Sequence, residues 1–118
     1  MAAERGLADP RVVLIHTNYP SLAEAERAGR AMLEARLAAC VNILPGVVSH
    51  YWWQGEIERA DEVMMIIKTQ ASLVEAVHEA VRGAHPYVTP SFLVLPVESG
   101  DPDYLAWLRA ATERGSRQ

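Results

Sequence analysis

The sequence predicts an α+β domain of the ferredoxin-like plan, a βαββαβ sandwich with one further helix at its C-terminal end. Three observations carry this. Ser-x-x-Glu occurs twice, at Ser21–Glu24 and Ser72–Glu75, each time after a β-branched run and before a helical pattern. Between these units, Val47 to Trp53 and Val63 to Thr69 flank a polar centre holding Gln54-Gly55, the composition of a long hairpin. Last, Val63-Met64-Met65-Ile66-Ile67 is apolar at consecutive positions. A strand with one solvated face alternates. This one needs cover on both faces, and a chain of this size offers helices for one, so the second cover is expected from another copy of the chain.

The elements follow in order. Val12 to Thr17 reads as a strand, again apolar on both faces, ended by Tyr19-Pro20. Ser21 caps a helix expected to run to about Leu37, with Leu22, Ala25, Gly29, Met32 and Leu33 as its inner stripe. Its many alanines suit close packing on a sheet. The second strand starts at Cys40, and Pro45-Gly46 marks a bulge or bend in it. Gly55 supplies the positive φ of the hairpin reversal. A second helix is expected from the Ser72 cap to about Arg82, with Gly83 as its stop and Leu73, Ala76, Val77, Ala80 and Val81 inward. Ala84 to Pro90 is a loop, since its two prolines cannot continue a helix. Ser91 to Val97 is the fourth strand, and Asp101-Pro102 opens the last helix as N-cap and first helical position. Residues 1–10 are expected to be a flexible leader, 11–112 the single domain and 113–118 a loose tail.

With 118 residues the chain holds one core. Its formal net charge of −4, with no basic run, argues against nucleic acid or an anionic membrane as partner. No apolar run reaches the ~20 residues that span a bilayer. Cys40 is the lone cysteine and has no internal disulfide partner, which suits a reducing cytoplasm. There is no Gly-rich phosphate loop, no nucleophile elbow and no Cys/His pair in a nucleophile setting, so no enzyme is expected.

Five blocks, in order, resemble the CutA divalent-cation-tolerance family: LAACVNILPG (Leu37 to Gly46), Tyr51-x-Trp53-x-Gly55, Ile67-Lys68-Thr69, His85-Pro86-Tyr87 and Tyr104-Leu-Ala-Trp107-Leu. The resemblance implies a cytoplasmic homotrimer that is not an enzyme, binding Cu(II) or another divalent metal and needing no organic cofactor. It points to His85 as a metal position, with His16 standing where some members carry Cys. It also suggests a pocket between subunits lined by Lys68, Tyr51, Trp53 and Tyr87. Val88, Ser91 and Ala84 depart from the family by replacing groups that other members offer. Spacing alone supports no metal site, because neither H-x-x-x-H nor C-x-x-C occurs. The bland alternatives are a hydrogen-bonded His16, a loop-capping His85, aromatic interface packing and a snorkelling Lys68. Cys40 reads as a small buried hydrophobe. A different class of function stays open: a trimeric sensor, similar to the PII signalling proteins, that takes a small molecule or nucleotide in the same cleft.

Overall fold

The computed structural model describes residues 11–113, so the expectations for the leader and for 114–118 fall outside it. Its elements are β1 (Val12–Tyr19), α1 (Leu22–Glu34), β2 (Cys40–Trp53), β3 (Glu56–Gln70), a 3₁₀ turn (Ala71–Leu73), α2 (Val74–Ala84), β4 (Leu93–Pro96) and α3 (Pro102–Ala111). The four strands form one antiparallel sheet in the order β2-β3-β1-β4. This is the βαββαβ sandwich with an added helix that the sequence predicts. Ile15, Met65, Ile67 and Val77 are fully buried where α1 and α2 cover one sheet face.

Ser21 caps α1 as expected, accepting from the Glu24 amide at 3.2 Å. The helix stops at Glu34, three residues short of the expected Leu37. Arg36 takes φ +62°, the Arg36 amide donates to the Leu33 carbonyl at 3.0 Å, and the Leu37 amide donates to Met32 at 2.9 Å. That is a Schellman stop with arginine where glycine is usual. Arg36 Nη1 also donates to the Ala111 carbonyl at 3.0 Å, which ties the turn to α3. On the inner stripe Ala25, Gly29 and Met32 are buried, whereas Leu22 and Leu33 stay exposed at its margins.

The Ser72 cap does not form. Helical winding has begun at Ala71 as a 3₁₀ turn, Leu73 holds the cap position, and no side chain caps α2. Nor does Gly83 end α2, which runs through Ala84. His85 stops it in an extended conformation, φ −81° and ψ 139°, the geometry that the following Pro86 favours. β4 is shorter than expected, Leu93–Pro96 rather than Ser91 to Val97.

The hairpin reverses through Gln54 (φ +51°) and Gly55 (φ +83°), a two-residue turn of the primed kind. The two apolar runs do not face each other across it. Val47 to Trp53 pair with Glu56 to Glu62, and the Val63 end pairs with Cys40 to Leu44 and with β1. Between Leu44 and Val47 the register shifts, so β2 carries one residue more than β3 at Pro45-Gly46. Cys40, Asn42 and Leu44 share the face of Met64, Ile66 and Lys68, away from α1 and α2. Past the bulge, Val47, Ser49 and Tyr51 take over that face, which Glu62 also occupies.

Gly29 sets how closely α1 approaches the sheet. A Cβ there would lie 2.9 Å from Val41 Cγ2 and 3.5 Å from Met65 Cε. Val41 is β-branched and cannot swing away freely. Gly29→Ala gains up to ~1 kcal/mol of helix propensity, but overpacking typically costs about 1–3 kcal/mol. We expect a net loss of ~1 kcal/mol in chemical denaturation, and Val41→Ala in the same chain should cancel the overpacking part.

Candidate functional site

The chemistry gathers at the C-terminal end of β1, where the α2–β4 loop wraps the strand. The His85 ring lies against Tyr19, with centroids 4.4 Å apart and planes 22° off parallel. The Tyr87 amide donates to His85 Nδ1 at 3.1 Å, so Nδ1 holds a lone pair and Nε2 bears the proton. Nε2 then donates to the Asn18 carbonyl at 2.6 Å. Both ring nitrogens are thus used, in a neutral imidazole of one fixed tautomer.

On the uncovered sheet face the loop ends at Glu62. The Tyr87 hydroxyl donates to Glu62 Oε2 at 3.2 Å, and Oε1 accepts from Asn18 Nδ2 at 3.0 Å and from Ser49 Oγ at 2.8 Å. Ser49 reaches Glu62 because the bulge has moved odd-numbered residues of β2 onto this face. Burial pushes the Tyr87 phenol above its usual range, and the Glu62 carboxylate, Tyr51 and Glu24 add to the shift. Tyr51 stands on the same sheet face as Ser49, two residues further along β2 and opposite Glu58, with Trp53 two residues beyond it. Asn18 Oδ1, Tyr19 Oη and Glu24 Oε1 are buried without a hydrogen-bond partner.

His16 stands on the same face of β1 as Asn18, opposite Ile66 on one side and Leu93 on the other. Its Nδ1 is buried and has no hydrogen-bond partner. So the structure seats His85 on the backbone of Asn18 with its ring on Tyr19, toward the helices, whereas His16 faces the uncovered side, and the two imidazoles do not meet within one chain. Among the described residues no group of three or more His, Cys, Asp or Glu gathers as a metal centre.

Of the four expected pocket residues, Tyr87 reaches Glu62, and Tyr51 and Trp53 lie on the hairpin beyond it on the same sheet face. Lys68 does not join them within one chain. It pairs with Leu14 and Cys40 at the far end of β3, ten residues from Glu58 opposite Tyr51, a span of about 33 Å along a strand. There Lys68 Nζ donates to the Tyr104 hydroxyl at 3.3 Å. Of the remaining histidines, His78 packs on Phe92 at 4.4 Å, and His50 is exposed on the hairpin. Cys40 is half-buried. Asn18, Ser49 and Glu62 were not singled out from the sequence. The one signal was Glu62 itself, a carboxylate directly before the apolar run that starts at Val63.

Tyr19 and Tyr87 give opposite expectations. Tyr19 is 2% exposed with an unpartnered hydroxyl, and an unmet buried hydroxyl costs about 1–3 kcal/mol. Tyr19→Phe should therefore raise stability, by ~1 kcal/mol. Tyr87→Phe removes a donor to a carboxylate and should lower it by about 1.5 kcal/mol. Burial raises both phenols above the usual tyrosine range of about 10. A raised acid keeps its proton in the folded state after the unfolded chain has lost it. Their contribution is thus complete below pH 10 and is lost as pH rises through the folded value. Urea melts across pH 8 to 11 should show each Phe variant with a shallower alkaline decline than the parent.

The chain matches the model of the family described as CutA1 divalent ion tolerance protein over residues 13–111. It is 50% identical to Protein CutA of Mus musculus over 94 residues, covering 80% of this chain and 53% of that one. To the divalent-cation tolerance protein CutA of Pectobacterium atrosepticum it is 46% identical over 109 residues, 92% of this chain and 97% of the other. The chain thus spans about half the length of the mouse relative and nearly all of the bacterial one. Among solved structures, CutA from Xylella fastidiosa superposes with a TM-score of 0.85 at 41% identity, covering 87% of this chain and 99% of that one. CutA from Archaeoglobus fulgidus, described as a periplasmic divalent cation tolerance protein, gives 0.84 at 41% identity, with 86% and 99% covered. With the five sequence blocks now seated on a matching fold, the chain belongs to the CutA1 divalent ion tolerance family.

Proposed function

We propose that the protein is a non-enzymatic homotrimer that serves divalent-cation tolerance by binding Cu(II) or a related ion, with His16 and His85 as its imidazole donors. The observation that carries this reading is His16, whose buried Nδ1 has no partner on a sheet face that the chain leaves largely uncovered. A neutral imidazole nitrogen in that position is a good ligand for Cu(II), Zn(II) or Ni(II). His85 adds a feature common in metal-ligating histidines: its Nε2–H is anchored on a backbone carbonyl, which leaves Nδ1 as the donor atom. To ligate, Nδ1 gives up the Tyr87 amide, at a cost of about 1 kcal/mol.

One chain falls short of a complete site, since transition-metal sites hold about four ligands. Water or residues of neighbouring copies make up the rest, so binding is modest and depends on assembly. The sensor alternative calls for a long mobile loop after the second strand, whereas β2 and β3 join here through Gln54 and Gly55 alone. A cytoplasmic location is part of the proposed function; cell fractionation tests it against the periplasm.

The test is calorimetric titration of Cu(II) into the parent protein, His16→Ala and His85→Ala, each checked for unchanged assembly. The parent should bind Cu(II) ahead of Zn(II), as the Irving–Williams order requires. Either substitution should weaken binding by about tenfold or more. Acidification should weaken the parent too, because a protonated imidazole has no lone pair to give. Unchanged affinity and stoichiometry in both variants would return the two histidines to structural roles.

A further inference from the structure

His85, Tyr87, Glu62 and Asn18 close a circuit of hydrogen bonds. The Tyr87 amide donates to His85 Nδ1 at 3.1 Å, and His85 Nε2 donates to the Asn18 carbonyl at 2.6 Å. The Asn18 side chain donates to Glu62 Oε1 at 3.0 Å, and the Tyr87 hydroxyl donates to Glu62 Oε2 at 3.2 Å. Tyr87 and Asn18 each take part twice, once through the backbone and once through the side chain. The Tyr87 ring also packs on the His85 ring, with centroids 4.8 Å apart. The circuit ties the α2–β4 loop to β1 and β3, and each of its four links is partly buried.

Two of these links meet in Tyr87. A ligand on His85 Nδ1 takes the lone pair that the Tyr87 amide now uses, so that amide has to turn away. Pro86 stands before it with a fixed φ, which limits how the loop adjusts, and the Tyr87 ring rests on the imidazole. Moving Tyr87 off Nδ1 therefore draws its hydroxyl away from Glu62. The carboxylate does not follow, because Oε1 stays held by Asn18 and by Ser49 Oγ at 2.8 Å.

We propose that Tyr87 is a positioning residue that couples occupancy of His85 to Glu62. With Nδ1 free of metal the phenol sits on Oε2; with Nδ1 ligated the phenol leaves, and Oε2 is bared on the uncovered sheet face. This coupling rests on the reading of His85 as a metal donor and does not involve His16. A hydrogen bond to a carboxylate is stronger than one between neutral groups, so its release opposes binding. The phenol thus holds metal affinity down, and Glu62 offers a bare oxygen only when His85 is filled.

The experiment is calorimetric titration of Zn(II) into the full chain as parent, Tyr87→Phe, His85→Ala and the double variant, with assembly checked in each. Zn(II) is diamagnetic, so the Glu62 carboxyl carbon can be followed by NMR in the same samples. Tyr87→Phe has no hydroxyl to release and should bind about tenfold tighter than the parent. In the His85→Ala background the same change should leave affinity where it was. The Glu62 signal should move on loading in the parent and stay in place in Tyr87→Phe. A tyrosine that only props the loop predicts the opposite sign, since its loss would weaken binding. If Tyr87→Phe does not fold, the Glu62 signal of the parent decides. Equal or weaker binding by Tyr87→Phe, or a parent Glu62 signal that ignores loading, would overturn the coupling; the Pro86–Tyr87 peptide would then flip while the side chain stays. Parent and His85→Ala binding alike would instead remove the metal reading of His85, and the coupling with it.

Discussion

A four-stranded sheet with helices on one side leaves its other side to be covered, and here that side is apolar where the sheet is central. Toward α1 and α2, Ile15, Met65 and Ile67 are sealed from water. On the opposite side Leu14, Met64 and Ile66 are half-covered, and Leu93 is 61% exposed. α3 comes over this side only at one end, where Gln70 Nε2 donates to Thr112 Oγ1 at 2.7 Å and Val12 is buried. The hairpin adds to the deficit, with Trp52 72% and Trp53 59% exposed. Apolar area left in water forgoes about 25 cal/mol per Å². The chain as it stands alone is therefore an unfinished core, and the proposed assembly would complete it.

Two local devices build the candidate site on this frame. The Pro45-Gly46 bulge changes which residues of β2 face away from the helices, and so delivers Ser49 to Glu62 and Tyr51 to the same face. The α2–β4 loop then crosses the end of β1 with His85 as its clasp, gripping Tyr19 on the helix side while Tyr87 reaches Glu62 on the other. Proline shapes both devices, at Pro45 through the missing amide and at Pro86 by forcing His85 out of the helix. The same clasp that orders the loop sets the tautomer of His85. The order of the loop and the tautomer of His85 thus rest on one hydrogen-bond pair.

Much of the fold was legible because its signals are local. Ser21, Asp101-Pro102, Pro45-Gly46 and Gln54-Gly55 act within a few residues, and each does in the structure what its chemistry suggests. Failures came where a distant partner decides. Ser72 has the right spacing for a cap, yet the Ala71 amide donates to the Arg11 carbonyl at 2.7 Å, and winding begins ahead of it. The α1 stop at Arg36 lacks the usual glycine and is held by α3 across 75 positions. In the candidate site, His85 and Tyr87 were legible through the family blocks. Glu62, Asn18 and Ser49 were not, since a strand's pairing register and a bulge bring them together. The distance between Lys68 and the hairpin aromatics likewise follows from register.

Sedimentation equilibrium of the full chain at low micromolar concentration bears most directly on the uncovered face. A closed ring of identical contacts satisfies such a face without leaving an open end. The account predicts one species of about three times the 13.0 kDa chain mass, with no monomer on dilution. A stable, folded monomer would contradict it, because the Met64–Ile66 face and the hairpin tryptophans would then be at ease in water.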